Sequence, residues 1–181
     1  AVLVGEATPG AVLWIMAADA AVRDLPALRR ALDAAAAAAR NGRIATFGIR
    51  PTRPETGYGY IEAGEALPGT AAAGHQALAV ARFLEKPDAA TAASLVAGGR
   101  HLWNSGMFVA TAGTLLAELA AHAPEVLDAA REAVAQGTRD LGFVRLGAGF
   151  AAAPSISIDH AVMERTRLAA VVPCDPGWSD V

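Results

Sequence analysis

The sequence has few of the residues that define several large protein classes. Its 181 residues include a single cysteine, Cys174, so the chain cannot form an internal disulfide or a cysteine cluster for zinc. Only 18% of the residues are charged, the net charge is −3 and no basic run occurs, which argues against a nucleic-acid-binding protein. No uninterrupted apolar stretch reaches membrane-spanning length, and no secretory signal opens the chain. We therefore expect a cytoplasmic protein without membrane or nucleic-acid partners.

What the chain has in quantity is apolar residues, which make up 54% and are largely alanine. This length and composition suffice for one domain with a sizeable core and exclude a disordered chain. The alanine content is typical of a GC-rich bacterial genome. No internal repeat or composition shift divides the chain, so we predict a single domain over residues 1–181.

The chain is organised around the stretch FLEKPDAATAASLVAGGRHLWNSGMF, Phe83 to Phe108. An apolar strand, Ala77 to Leu84, ends at Glu85 and Lys86, and Asp88 is a good N-cap for a helix over Ala89 to Ala97. Trp103 to Gly106 is predicted to be a turn that leads into a second strand, Met107 to Ala110. In open α/β sheets ligands bind at such element ends. An ordinary β-α-β unit with solvated charges fits the spacing equally well.

The remaining pattern predicts further strands and helices. The apolar run Ala11 to Ala18 predicts a strand that is buried on both faces and ends at Asp19. Strands are also predicted at Ile44–Ile49 and Val171–Val172, and a hairpin excursion at Gly64–Gly74. Helices are predicted from Asp24 to about Arg40, from Thr111 to His122, from Pro124 to about Gln136, and from Ile158 to Arg165.

Five blocks together identify a family resemblance. EKPD and WNSGMF, with TFGIRPTRPETGYGYI (Thr46–Ile61), PSISIDHAVMERT (Pro154–Thr166) and WSDV (Trp178–Val181), follow the order seen in sugar nucleotidyltransferases. The chain most resembles the mannose-1-phosphate guanylyltransferases. The resemblance implies an α/β fold of Rossmann-like, three-layer, GT-A-like type, with a mixed, mostly parallel sheet and flanking helices. It also implies transfer of GMP from GTP to mannose 1-phosphate, with GDP-mannose and pyrophosphate as products.

The resemblance also implies roles for particular residues. Asp19 and Asp180 would share a Mg²⁺ ion, the metal that phosphates and one or two carboxylates commonly hold. Lys86 would contact the sugar phosphate, and these three residues would form the catalytic set. The sugar site would be lined by Glu55, Thr56, Gly57, Tyr58, Glu85, Asn104, Gly106 and Asp159. For Asp159, capping a helix is at least as good an interpretation.

The sequence departs from the family pattern in two respects. Ala17 and Ala20 stand where the family has a proline and a histidine around its metal-binding aspartate. The family's glycine-rich triphosphate loop, a GGxGTR-like motif, has no match, so we expect the chain to begin beyond that loop and to stop where the family continues. A fragment of this extent is expected to be inactive alone.

Two alternatives therefore stay open. One is another sugar-1-phosphate nucleotidyltransferase, using glucose 1-phosphate with UTP or dTTP. The other is a non-catalytic homologue that binds sugar phosphates. Homo-oligomer formation is compatible with the sequence but is not indicated by it.

Overall fold

The computed structural model describes residues 1–5 and 7–180. Val181, the last residue of the WSDV block, lies outside the described residues. The elements in chain order are α1 (Val2–Gly5), β1 (Val12–Ile15), β2 (Ala20–Val22), α2 (Leu25–Arg40), β3 (Ile44–Ile49), β4 (Tyr60–Ala66), β5 (Leu78–Leu84), α3 (Ala89–Ala97), β6 (His101–Thr111), α4 (Ala112–His122), α5 (Pro124–Ala135), β7 (Thr138–Asp140), β8 (Phe143–Arg145), a 3₁₀ turn (Ala148–Ala152), a π-helical turn (Asp159–Met163), β9 (Ala169–Pro173) and β10 (Trp178–Asp180).

These elements form two compact units. The first comprises Ala1–Ala11 and Ala112–Thr166, and the second comprises Val12–Thr111 and Arg167–Val181. In the first unit, α4 packs against α1, α5 and the π-helical turn, and α5 packs against the 3₁₀ turn. Among the described residues, no helix combines the length and the apolar character needed to cross a membrane.

The second unit is built on a six-stranded mixed sheet in the order β1-β6-β3-β9-β5-β4. Four strands, β1, β3, β4 and β9, run in one direction, and β5 and β6 run in the other. The predicted α/β class, with a mixed sheet and flanking helices, is confirmed, but the prediction that the sheet is mostly parallel is wrong. Since the reversed strands separate most of the others, the only parallel hydrogen-bonded pair among the described residues is β3 with β9. β4 also pairs with β6, so β6, β3, β9, β5 and β4 form a closed ring of pairings.

Helix α2 covers this sheet through its alanine face. Asp24 caps the helix, because its carboxylate accepts a 2.8 Å hydrogen bond from the Ala27 N–H. The helix packs on β3, β6 and β9, and its inward alanines are fully buried. Alanine favours the helix and is short enough to let it lie close to the sheet. We call the resulting packing the core cluster; its larger members are Leu28, Phe47, Met107, Val109 and Val172.

A smaller apolar group packs at the other end of β6. Ile49, Tyr60, Ala92 and Trp103 form this aromatic cluster, and Tyr58 and Trp178 pack against it. Helix α3 contributes Ala92, and it begins as predicted, with the Asp88 carboxylate accepting from the Thr91 N–H at 2.7 Å. The two clusters therefore divide β6 between them.

Two sequence predictions about strands are wrong. Trp103 to Gly106 is part of β6 and not a turn, because β3 and β4 both pair with this segment. The strand β1 is not buried on both faces, and Trp14 and Ile15 are each 39% exposed. Within the described part of the sheet β1 pairs with β6 alone, so it is an edge strand.

Candidate functional site

A bulge in β6 sets the position of Asn104. Thr46 pairs with Phe108 and Gly48 with Asn104, so four residues of β6 span the distance covered by two residues of β3. Gly106 lies in the extra segment with φ of 69°, a conformation that favours glycine. The side-chain oxygen of Asn104 is held there by two donors, the Thr46 hydroxyl at 2.7 Å and the Gly106 N–H at 3.3 Å. The bulge thus fixes the orientation of a 7% exposed carboxamide.

The backbone of Gly59 lies against both Asn104 and Glu85. Its carbonyl accepts a 2.8 Å hydrogen bond from the Asn104 N–H. A Cβ atom at Gly59 would lie 2.6 Å from Glu85 Oε2 and 3.3 Å from Asn104 Cβ. A side chain at this position would have to displace the Glu85 carboxylate, so glycine lets the carboxylate lie this close to the backbone. The GYG motif offers two glycines as candidates for such a close contact. The predicted site includes Gly57, around which a Cβ would meet nothing within 4 Å, and omits Gly59.

Glu85 and Lys86 follow directly after β5. The Glu85 side chain is 7% exposed, and its Oε1 lies 3.6 Å from Lys86 Nζ, while the Lys86 side chain is 61% exposed. Lys86 adopts φ of 45°, which is rare for a residue with a side chain. Such strained backbone conformations are found preferentially at functional sites. A buried carboxylate and an exposed ammonium are therefore presented side by side.

The loop before β4 is tied to the strand by Tyr60. The Tyr60 hydroxyl accepts from the Glu55 N–H and donates to the Glu55 carbonyl, both at 2.9 Å. The Glu55 carboxylate is ion-paired with Arg53, whose guanidinium lies 6.0 Å from the centre of the Trp103 ring. Thr56 is exposed in this loop. The loop is thus held at Glu55, while its next residue remains accessible.

Tyr58 lies between two tryptophans. Its ring makes edge contacts with Trp103 at 5.1 Å and with Trp178 at 5.3 Å between centroids. Burial raises the pKa of Tyr58, the negative charges of Asp180 and Glu55 raise it further, and Arg53 opposes them. The indole Nε1 atoms of both tryptophans are buried without a hydrogen-bond partner among the described residues. The predicted site did not include the two tryptophans, whose rings both contact Tyr58.

The two predicted metal-binding aspartates are neighbours on a short ribbon. β2 pairs with β10 so that Ala20 lies opposite Asp180, and Asp19 immediately precedes Ala20. Both aspartates are exposed. Among the described residues no group of three or more potential ligands could hold a metal by itself. A pair of carboxylates fits Mg²⁺, which is usually held by one or two carboxylates together with substrate phosphates and water.

Asp159 differs from the other candidates in location. It belongs to the first compact unit, whereas Asp19, Glu55, Thr56, Gly57, Tyr58, Glu85, Lys86, Asn104, Gly106 and Asp180 all belong to the second. It is the first residue of the π-helical turn, which Ile158 precedes as a cap residue without a side-chain bond. Its assignment to a sugar site stays a prediction.

The chain is similar to known proteins of one family. The chain matches the family model described as Nucleotidyl transferase over residues 2–181. It is 50% identical over 171 residues to the xanthan biosynthesis protein XanB of Xanthomonas campestris pv. campestris strain B100, covering 94% of this chain and 35% of that protein. It is 47% identical over 174 residues to the mannose-1-phosphate guanylyltransferase of Escherichia coli K12, again covering 94% of this chain and 35% of the relative.

A solved structure supports the fold. A protein described as mannose-6-phosphate isomerase from Helicobacter pylori superposes with a TM-score of 0.85 at 29% identity, covering 99% of this chain and 68% of that one. The chain spans about a third of the length of the curated relatives, 35% in both cases. The resemblance read from the five sequence blocks is confirmed, and the chain belongs to the nucleotidyl transferase family.

Proposed function

We propose that the protein containing this chain transfers GMP from GTP to mannose 1-phosphate, giving GDP-mannose and pyrophosphate. The observation that carries the proposal is the meeting of Glu85, Asn104 and the Gly59 backbone beside Lys86. A carboxylate and a carboxamide supply the acceptors and donors that sugar hydroxyls need. A lysine beside them supplies a point charge for a phosphate. Relatives named mannose-1-phosphate guanylyltransferase make mannose the favoured sugar.

In this reaction a phosphate oxygen of mannose 1-phosphate attacks the α-phosphorus of GTP. The bond from that phosphorus to the bridging oxygen of the β-phosphate breaks, and pyrophosphate leaves. Both partners are anions, so the protein must supply positive charge and fix the geometry. Lys86 would neutralise the sugar phosphate, while Glu85 and Asn104 orient the ring.

The metal would be held by Asp19 and Asp180. When bound, Mg²⁺ supplies charge neutralisation and a template for phosphate oxygens. Trp178 lies on the same short strand as Asp180 and packs against Tyr58, a contact that would keep the strand in place. We further propose that Glu55, Thr56, Gly57 and Tyr58 form the rim of the sugar site. Because the proposed substrates are small metabolites, a cytoplasmic location suits the reaction.

The test is a paired set of kcat/KM values on the whole purified protein. Lys86→Ala should reduce kcat/KM for mannose 1-phosphate by far more than it raises the Kd of GTP, because a phosphate loses its charge partner. Loss of such a partner typically costs about 2–5 kcal/mol. Lys86→Arg is the matched control, since it keeps the charge. If Lys86→Ala weakened only GTP binding, the lysine would belong to the nucleotide site.

The sugar itself is tested with Glu85→Gln. This change keeps the volume but replaces an acceptor oxygen with a donor NH₂. We expect discrimination between mannose 1-phosphate and glucose 1-phosphate to shrink by about tenfold or more. Faster turnover of glucose 1-phosphate with UTP or dTTP by the unmodified protein would favour the alternative enzyme. No turnover with any of these pairs would favour the non-catalytic homologue.

A further inference from the structure

A hollow in the sheet-containing unit is lined by basic side chains. It has a volume of about 370 Å³, within the range of small-molecule sites. Arg50 follows β3, and Arg100 and His101 lie at the start of β6. All three line the hollow, and none of the described residues that line it is acidic. None of the residues assigned above to the metal, the sugar or the sugar phosphate lines it either.

The three basic groups differ in their hydrogen-bond and ion-pair partners. His101 Nδ1 is buried and has no hydrogen-bond partner in the described part of the chain. Arg50 takes part in no ion pair there. Arg100 lies 3.6 Å from Glu62, but its side chain is 77% exposed, and an exposed pair of this kind is weak. An anion entering the hollow would therefore meet two guanidinium groups and the His101 ring, whose Nδ1 lies beneath the surface.

Helix α3 ends beside this hollow. Carbonyl groups without hydrogen bonds at its C-terminus would carry partial negative charge and would repel an anion. Gly98 and Gly99 close the helix, and their N–H groups bond to the carbonyls of Ser94 and Val96 at 3.0 and 3.1 Å. These bonds reduce the negative end of the helix dipole, which falls off within the last turn. The attraction of an anion by the two arginines is therefore larger than its repulsion by the end of helix α3.

The remaining wall is apolar. Pro51, Leu102 and Pro173 line the same hollow. A neighbouring cavity of about 430 Å³ shares Arg50, Leu102 and Pro173 with it and is also lined by Asp175, so the anionic group belongs in the first hollow and not in this one. A bare phosphate would occupy only part of this space. The shape calls for an anion that carries an organic group.

We propose that Arg50, Arg100 and His101 form a binding site for a phosphorylated small molecule, separate from the residues assigned to nucleotidyl transfer. The phosphate lies between the guanidinium groups, and the His101 ring lies beside it. The organic part of the ligand contacts the proline and leucine wall. The site does not depend on the reaction proposed above, so failure of one leaves the other standing.

The first experiment titrates the purified protein with sodium sulfate and follows the imidazole signals of His101 by NMR. Sulfate keeps the same charge across the neutral pH range. We expect the signals to shift, and the midpoint to rise at least about tenfold in Arg50→Gln and in Arg100→Gln, as for loss of a charge-assisted hydrogen bond. Arg131→Gln, on the exposed surface of α5, removes the same charge elsewhere and should change the midpoint less than twofold. Lys86→Ala should leave the midpoint unchanged.

Three results would overturn the site. The His101 signals could fail to move, they could move with the same midpoint in Arg50→Gln and Arg100→Gln, or Lys86→Ala could abolish the shift. Thermal unfolding of each variant shows that it is folded, and Arg50→Lys provides a second variant that keeps the charge and should retain binding.

The second experiment tests the ligand class. Phenyl phosphate should bind more tightly than inorganic phosphate, because its apolar ring can contact the proline and leucine wall. Equal or weaker binding of phenyl phosphate would contradict a site for phosphorylated small molecules.

Discussion

The two halves of β6 belong to different environments although they are one strand. The C-terminal half, with Met107 and Val109, lies between β1 and β3 and belongs to the core cluster. The N-terminal half, with Trp103 and Asn104, lies between β3 and β4 and carries candidate site residues. The bulge at Gly106 separates them. A single change of backbone conformation thus lets one strand contribute to stability at one end and to the site at the other.

Truncation in the core half should give the largest effect on stability. Met107 is 1% exposed, so Met107→Ala should lower the free energy of unfolding by about 2–5 kcal/mol. The KM for mannose 1-phosphate, the proposed substrate, should stay within twofold of its original value, because Met107 is not among the proposed site residues. Urea unfolding and steady-state kinetics measure the two quantities. Met107→Leu, which keeps the volume, is the control and should cost less than about 1.5 kcal/mol. An altered KM without lost stability would show that the halves are not separate.

A change at the bulge should affect both halves at once. Gly106→Ala forces a side-chain residue to adopt φ of 69°, which costs roughly 1–2 kcal/mol. A Cβ there would meet nothing within 4 Å, so the cost is conformational and not a clash. We expect lower stability together with a higher KM for mannose 1-phosphate. The backbone would relax at residue 106, whose N–H holds the Asn104 side chain, so the orientation of that side chain would change. Gly106→Asn should restore part of both, because asparagine tolerates this conformation better. Equal losses in the two variants would point to another cause.

Removal of one hydrogen bond tests the site half alone. Thr46→Val deletes the hydroxyl that donates to Asn104 and should cost about 0.5–1.5 kcal/mol of stability. The KM for mannose 1-phosphate should rise, whereas the KM for GTP should not. Thr46→Ser keeps the hydroxyl and should restore the KM. If Thr46→Val changed stability alone, the Thr46 bond would be structural.

The smallest effect is expected at Cys174, which packs against both clusters. Burial, and secondarily the charge of Asp175, raises the pKa of the Cys174 thiol to about 12. At pH 8.5 the thiol should react slowly with a disulfide reagent in the folded protein and quickly in urea. Above pH 9 the unfolded chain ionises before the folded one, so stability should fall as the pH rises from about 9 toward 12. Rapid labelling at pH 8.5 without denaturant would show that the junction between the clusters opens.

The sequence predicted correctly the features that depend on residues close together in the chain, such as helix caps and helix ends. Asp24 and Asp88 cap helices because each carboxylate accepts a hydrogen bond from an N–H three residues ahead, and so short a spacing can be recognised in the sequence. The strand Ile44–Ile49 was also predictable, because most of its residues are apolar. In the structure this strand is buried throughout. The helix ends at Gly42 and Gly99 follow the same logic, with φ of 75° and 67°.

Features that depend on distant partners were not predictable. Trp103 to Gly106 has the composition of a turn, yet pairing with β3 and β4 keeps it in a strand. The exposure of Trp14 follows from its place at the sheet edge, which no pattern within the run Ala11–Ala18 indicates. The pairing of β2 with β10 joins three-residue strands far apart in the chain, too short for any periodicity to reveal. Gly59 was missed for the same reason, because only the tertiary structure brings it against Glu85.

The position of β9 has a consequence for the order of folding. This strand lies between β3 and β5, and Ile44 pairs with Ala169, so the sheet cannot close until residues 112–166 have been synthesised. Such nonlocal pairing slows folding, because the loop entropy is lost before the contact forms. During translation β3 and β5 would therefore expose their central edges for the time it takes to add that segment. Unpaired edges of this kind favour aggregation, so the chain is most prone to aggregate in the interval between the synthesis of β5 and that of β9.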